Sequence, residues 1–187
     1  MGWWVAGAMM FLLLVILALP ILRPEEPARP VGVGGGAPAA ATTDISNMSP
    51  GEAASRLYNR VMQAASGNDT AQVQMFLPMA IDAHEMAKPL TSDEAFHLSS
   101  LQRMALRNED ALASAQEALV LEPNHLLLLY TAGEAARASG QMELAAGFAN
   151  KMLEVWDEET ALAREEYGMH QGMMEDVRAF AESGGGG

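Results

Sequence analysis

The segment from Ser92 to Asp157 constrains the fold more than any other, because it matches itself at an offset of 34 residues: Glu109 falls on Glu143, Ala111 on Ala145, Ala115 on Ala149 and Leu119 on Leu153. A fixed offset of this size is the mark of a helical repeat. Small residues recur where two helices need their backbones close: Ala111, Ala115 and Ala118 in the first copy, Gly133, Ala145 and Ala149 in the second. Neither copy can bury its apolar face alone, so the two must stack.

The pattern resembles the tetratricopeptide repeat, of the membrane-anchored bacterial type. In the first copy Leu98, Ala111, Ala118 and Pro123 stand at the family's apolar, alanine, alanine and proline positions. In the second, Gly133, Gly140 and Ala145 match, the glycines at the helix contact and the inter-helix turn. The copies depart from the pattern at Ser99 and Leu106, and again at Met152 and Asp157. The resemblance implies an all-α solenoid of helix pairs and says little about the ligand.

Local signals extend this architecture. Ser49-Pro50-Gly51-Glu52 and Thr91-Ser92-Asp93-Glu94 both read as capping boxes that open helices. Leu57, Val61, Ala64 and Ala65 give the first helix a buried stripe. A second helix is predicted over Asp69 to Lys88, with a kink or break near Gln74 forced by Pro78. Asn108 is the expected cap of the helix that Pro123 and Asn124 close, and the run Leu126 to Leu129 is too apolar to face water. The next helix is expected to end near Trp156, followed by a final pair, Thr160 to Gln171 and Met173 to Glu182. Gly168 and Gly172 weaken that end, and the Gly184 to Gly187 tail reads as disordered.

The predicted organisation is therefore a transmembrane anchor over 1–23, a Pro/Gly/Ala-rich linker over 24–48, a helical repeat domain over 49–182 and a glycine tail over 183–187. The repeat domain is expected to hold about three helix pairs plus a terminal cap. From Trp3 to Leu22 there is no charged residue, and at about 1.5 Å per residue the run matches the roughly 30 Å core of a bilayer. Phe11, Leu14 and Leu17 lie inside it, Trp3 and Trp4 suit one interface, and Arg23 marks the other. A cleaved signal peptide fits less well, since no Lys or Arg precedes the run. Basic residues Arg23 and Arg29 favour a cytoplasmic domain, whereas the spacer after Pro24 is typical of exported, tethered domains. The reading adopted is a single-pass protein of a bacterial inner membrane with its folded part in the periplasm.

Charge and composition narrow the partners. With 11 basic against 24 acidic residues, a net charge of -13, the chain lacks the footprint that nucleic acid requires. It has no cysteine, so no thiolate zinc site and no thiol nucleophile. His84, His97, His125 and His170 are scattered, no HExxH pair occurs, and each reads as a boundary or capping residue. Glu154, Asp157, Glu158, Glu159, Glu165 and Glu166 read as a solvated surface, or else as an acidic patch for a basic partner. Met169, Met173 and Met174 read as pliable core. No cofactor, metal or catalytic group is assigned, and the chain does not read as an enzyme.

What remains is interaction. Gln102, Arg103, Glu134 and Arg137 fall on the first helices of the two clear repeats, on the face where a solenoid binds partners. The primary reading is a scaffold that meets the integral membrane subunits of a larger complex, an electron-transfer complex being one host, and meets lipid through its anchor. The alternative is a tethered peptide-binding module, resembling the repeat proteins that present apoproteins in cytochrome c maturation. A hydrolytic site in the acidic cluster is the weakest reading, because no motif positions a nucleophile beside it.

Overall fold

The computed structural model describes residues 47–186, and these are all-helical: eight α-helices and a single turn of 3-10 helix. The predicted anchor and nearly all of the linker lie outside the described residues. No helix among the described residues is long and apolar enough to cross a membrane.

Helices α1 (Pro50–Ser66) and α2 (Thr70–Met86) form the first pair. The predicted capping box opens α1: the Glu52 amide donates to Ser49 Oγ at 3.3 Å and the Ser49 amide donates to Glu52 Oε2 at 2.9 Å. Asp69 caps α2 by accepting from the Gln72 amide at 3.1 Å. Of the predicted kink or break there is no break: α2 runs on as one helix through Pro78. Proline removes one donor, and the Gln74 carbonyl it strands belongs to an exposed residue, where water can satisfy it. On the opposite side Phe76, Ala80, Ile81 and His84 are buried and hold the helix to its partner.

The second pair is α3 (Ser92–Met104) and α4 (Asn108–Leu119), and the third α5 (Leu126–Ala138) and α6 (Met142–Ala161). Thr91 and Glu94 form the capping box expected at α3. Asn108 does not cap α4: the cap is Arg107, which makes no side-chain cap bond, and Asn108 is already helical. The turn after α3 sets this register. The Arg107 amide returns to the Gln102 carbonyl at 2.8 Å and the Leu106 amide to Arg103 at 2.9 Å, a Schellman closure that leaves Arg107 as the first residue free to start the next helix.

The same closure follows α1, α5 and α8 (Met174–Glu182), with Asn68, Gly140 and Gly184 in the left-handed position. Leu106 occupies it with φ 59, where the second copy has Gly140 with φ 76. Glycine carries no penalty there, whereas a leucine is strained. Leu106→Gly is therefore expected to raise stability by about 1 kcal/mol, since the leucine side chain is 83 % exposed and contributes little packing. Urea unfolding of the two forms checks this, with a higher midpoint at unchanged slope expected.

The first helices α1, α3 and α5 follow one another along the stack, each also touching the next. After α6, the chain forms α7 (Glu165–Met169), the 3-10 turn Gln171–Met173 and then α8. The expected final pair is thus reduced, because α6 continues past Trp156 to Ala161 and takes up residues assigned to the next helix. Helix α8 packs on both α5 and α6, the place a fourth first helix would take. It closes the stack with Val177, Phe180 and Ala181 buried.

The core lies in three connected zones. Leu57, Val61, Ile81 and Leu101 fill the first, Ala111, Ala115, Ala132 and Ala145 the tight contact of α4, α5 and α6. Phe96, Leu126 to Leu129, Met152 and Phe180 form the largest, beneath the C-terminal elements. Gly133 is a close-contact position, and its neighbour is the Phe180 ring of α8: a Cβ there would stand 2.6 Å from two ring carbons. At the matching position of the first copy, Ser99 donates from Oγ to the Ala111 carbonyl at 2.8 Å and lies 3.1 Å from Thr131 Oγ1. The glycine tail is not free of the domain over its described length. Gly185, with φ 77, is buried against α6 so closely that a Cβ would lie 2.8 Å from the Ala145 carbonyl group. By contrast, nothing approaches the Cα of Gly168 or Gly172 within reach of an added Cβ.

Candidate functional site

Three places concentrate polar or accessible groups. The first is the side formed by α3 and α5, where the candidate partner residues lie. Arg103 Nη2 donates to Glu134 Oε2 at 2.6 Å, and Arg137 donates from Nε to Glu134 Oε1 at 3.0 Å. Glu134 is thereby held between two guanidiniums and ties α3 to α5. Gln102 takes a different place. It is 1 % exposed, its amide donates to Glu85 at 3.3 Å, and its Oε1 has no partner, so it belongs to the interior and not to a binding face.

The second is a groove of about 320 Å³ between the α2–α3 connection, α3 and α4, lined by Lys88, Pro89, Leu90, Leu98, Glu117 and Leu121 among others. Lys88 sits over it, paired with Glu85 at 3.2 Å and Glu117 at 3.4 Å. Beside it Val120 and Leu121, just past the end of α4, are about four-fifths exposed. Among the described residues they are the most exposed adjacent apolar pair, and periodicity did not single them out because they follow the last helical turn.

The third is the joint between the pairs and the C-terminal elements, where the sequence reading is corrected twice. Glu159 is not part of a solvated run: α6 carries it inside, 4 % exposed, where it accepts from Tyr167 Oη at 2.8 Å and pairs with Arg164. Arg164 also reaches Glu122 at 2.6 Å, and Tyr167 Oη in turn accepts from the Leu126 amide at 3.0 Å. Burial foremost, and then the Glu159 carboxylate, push the Tyr167 hydroxyl well above its ordinary range, so it stays a donor. His125 does cap, as expected: its Nδ1 accepts from the Leu128 amide, and its Nε2 faces Glu166 at 3.2 Å. Glu154, Asp157, Glu158 and Glu165 remain exposed.

The histidines are scattered in sequence, but His97 and His170 meet in space. Asp93 and His97 stand one turn apart on α3, and His170 comes to them from the junction of α7 with the 3-10 turn. His97 Nε2 and His170 Nε2 are 3.2 Å apart, while Asp93 Oδ1 lies 3.0 Å from His170 Nε2 and 3.6 Å from His97 Nε2. Tyr58 of α1 stacks on the His97 ring at 3.7 Å, and Phe96 meets the His170 ring edge-on at 4.9 Å. Burial drives the His97 imidazole down to about 4 against the pull of Asp93, which keeps it neutral. For Asp93 burial works upward, but the hydrogen bond from His170 and the nearby imidazoles outweigh it and hold the carboxyl below its ordinary range. An i,i+4 acid and histidine pair was visible in the sequence. Its partner 73 residues on was not.

No protein-family model matches this chain, and no curated protein matches it significantly. Met169 is 63 % exposed, whereas Met173 and Met174 pack against the core, so only the latter two act as the pliable filling expected of all three.

Proposed function

We propose that the protein is a TPR-like scaffold, tethered to a membrane by its N-terminal apolar run, that works through protein contacts as a structural or assembly subunit of a larger membrane complex. The observation that carries this reading is the repetition of one helix-pair unit: α3/α4 and α5/α6 share the same closing turn at Leu106 and Gly140 and set their first helices side by side. A stack of this kind presents continuous faces to partners, not a closed pocket around a reaction. Integral membrane subunits are the partners in this reading, with a respiratory or photosynthetic electron-transfer complex as one host. The run from Trp3 to Leu22 supplies the tether and the spacer after Pro24 the reach, on the periplasmic side of an inner membrane.

A second reading, a tethered peptide-binding module, is favoured by the groove beneath Lys88 and its exposed rim at Val120 and Leu121. One experiment separates the two. Full-length protein is isolated from its own membranes in mild detergent and its companions are quantified by mass spectrometry. A stoichiometric set of integral membrane subunits that survives Leu121→Asp and Lys88→Glu supports the scaffold. Recovery of the protein alone overturns it, and substoichiometric clients lost in those variants support the peptide-binding module.

A further inference from the structure

We infer that Asp93, His97 and His170 form a binding site for one divalent transition-metal ion, zinc fitting best, that staples the C-terminal elements onto α3. Ligand atoms about 2.0–2.1 Å from a tetrahedral zinc lie about 3.3 Å from one another. The three here are separated by 3.0, 3.2 and 3.6 Å. A point about 2.05 Å from all three exists about 0.8 Å off their plane, close to the roughly 0.7 Å of a regular tetrahedron. The three ligand atoms already stand at about the separations that an ion would set.

The protons argue in the same direction. Two imidazole Nε2 atoms and one carboxylate oxygen converge on a single space, and neutral rings offer either N–H or lone pair at each nitrogen. If His170 donates to Asp93, His97 must either point a second N–H at the same oxygen across 3.6 Å or leave a lone pair facing its neighbour. One cation accepts all three lone pairs at once. Imidazole nitrogen with carboxylate oxygen is a donor set for zinc, iron(II), cobalt or nickel, and a poor one for calcium or magnesium, which take oxygen. Side-chain exposures of 13, 24 and 15 % for His97, Asp93 and His170 leave access for water as the fourth ligand.

The surroundings orient the ligands, as metal sites require. Tyr58 fixes the plane of His97 by stacking, and Phe96 buttresses His170. The tie joins α1, through Tyr58, and α3 to the turn that leads into α8. Glycines at 168 and 172 make that turn weak by itself. An ion would hold in place the helix that closes the stack.

The test uses full-length protein in detergent micelles, carried on a tag without histidine and stripped with chelator, and titrated with cobalt(II). Expected are one ion per chain, the visible absorption bands of four- or five-coordinate cobalt, and displacement by zinc. Asp93→Asn, His97→Gln and His170→Gln, each checked for helical content by circular dichroism, should weaken binding by more than about 100-fold, the upper end of what loss of an outer-shell partner does. Zinc should also slow amide hydrogen exchange over residues 171–182 in the parent protein and not in Asp93→Asn, which preserves the shape of the carboxyl. No binding, or binding that persists in folded Asp93→Asn and His97→Gln, would overturn the assignment and leave a hydrogen-bonded triad.

Discussion

Replacing Arg164 with methionine is expected to destabilise the protein by about 3 kcal/mol. Arg164 joins Glu122, Glu159 and Glu166, at 2.6 Å from the first and 3.7 Å from the last, and is paired directly with Glu159. Glu159 is almost fully buried, so removing its partner leaves a carboxylate in the interior with only the Tyr167 hydroxyl to stabilise it. Breaking a buried pair costs more than the pair contributes, because the desolvated charge remains. One further result follows. Adding Glu159→Gln to Arg164→Met should recover much of the loss, since the amide oxygen can still accept from Tyr167. Urea unfolding of the four forms measures this. An undiminished deficit in the double variant would mean that Arg164 acts by packing alone.

Gly133→Ala is expected to cost about 1–3 kcal/mol, unusually much for one added methyl group on a helix where alanine is otherwise the better residue. Propensity alone predicts a gain of up to about 1 kcal/mol. The sign is reversed by position: the new Cβ would stand 2.6 Å from two carbons of the Phe180 ring and 3.4 Å from Phe148 Cβ. Phe180 is packed with Tyr130 edge-on at 5.6 Å and cannot swing away without opening the core beneath α8. Phe180→Leu alone should also destabilise, by leaving space. The two together should cost less than their sum, with a coupling of about 1 kcal/mol or more, because leucine vacates what alanine needs. Thermal unfolding of the double-mutant cycle decides it. Additive losses would place the strain elsewhere. Faster exchange of α8 amides in Gly133→Ala, with α1 and α2 unaffected, would show that the closing helix detaches first.

The local chemistry of this chain was legible because it is local. Ser49 with Glu52 and Thr91 with Glu94 cap helices three residues apart, and such bonds form within one turn whatever lies around them. The offset of 34 residues placed Leu106 at a turn glycine's position, and the structure puts it there in the left-handed conformation. Pro78 does not break its helix, for the opposite reason. Its local cost is real, but burial of Phe76, Ala80 and Ile81 across α2 outweighs one missing hydrogen bond. Asn108 misled because the preceding turn, not the best capping side chain, fixed where α4 begins.

The sequence by itself determined the helices and the small residues at their contacts, since these depend on period and on neighbours a few positions away. It also determined that the chain is acidic and without thiols. Only the tertiary structure decided which charges are buried and which groups meet. Glu159 and Glu158 are adjacent and alike in sequence, yet one is inside and the other in water, because α6 runs one turn past Trp156 and turns Glu159 toward Tyr167 and Arg164. Gln102 looks like a surface neighbour of Arg103 and is interior, a difference of one position on a helix packed on several sides. Asp93, His97 and His170 come together because the turn after α7 brings His170 back to α3. A contact 73 residues long carries no periodicity and no motif, so it exists only once the stack has closed.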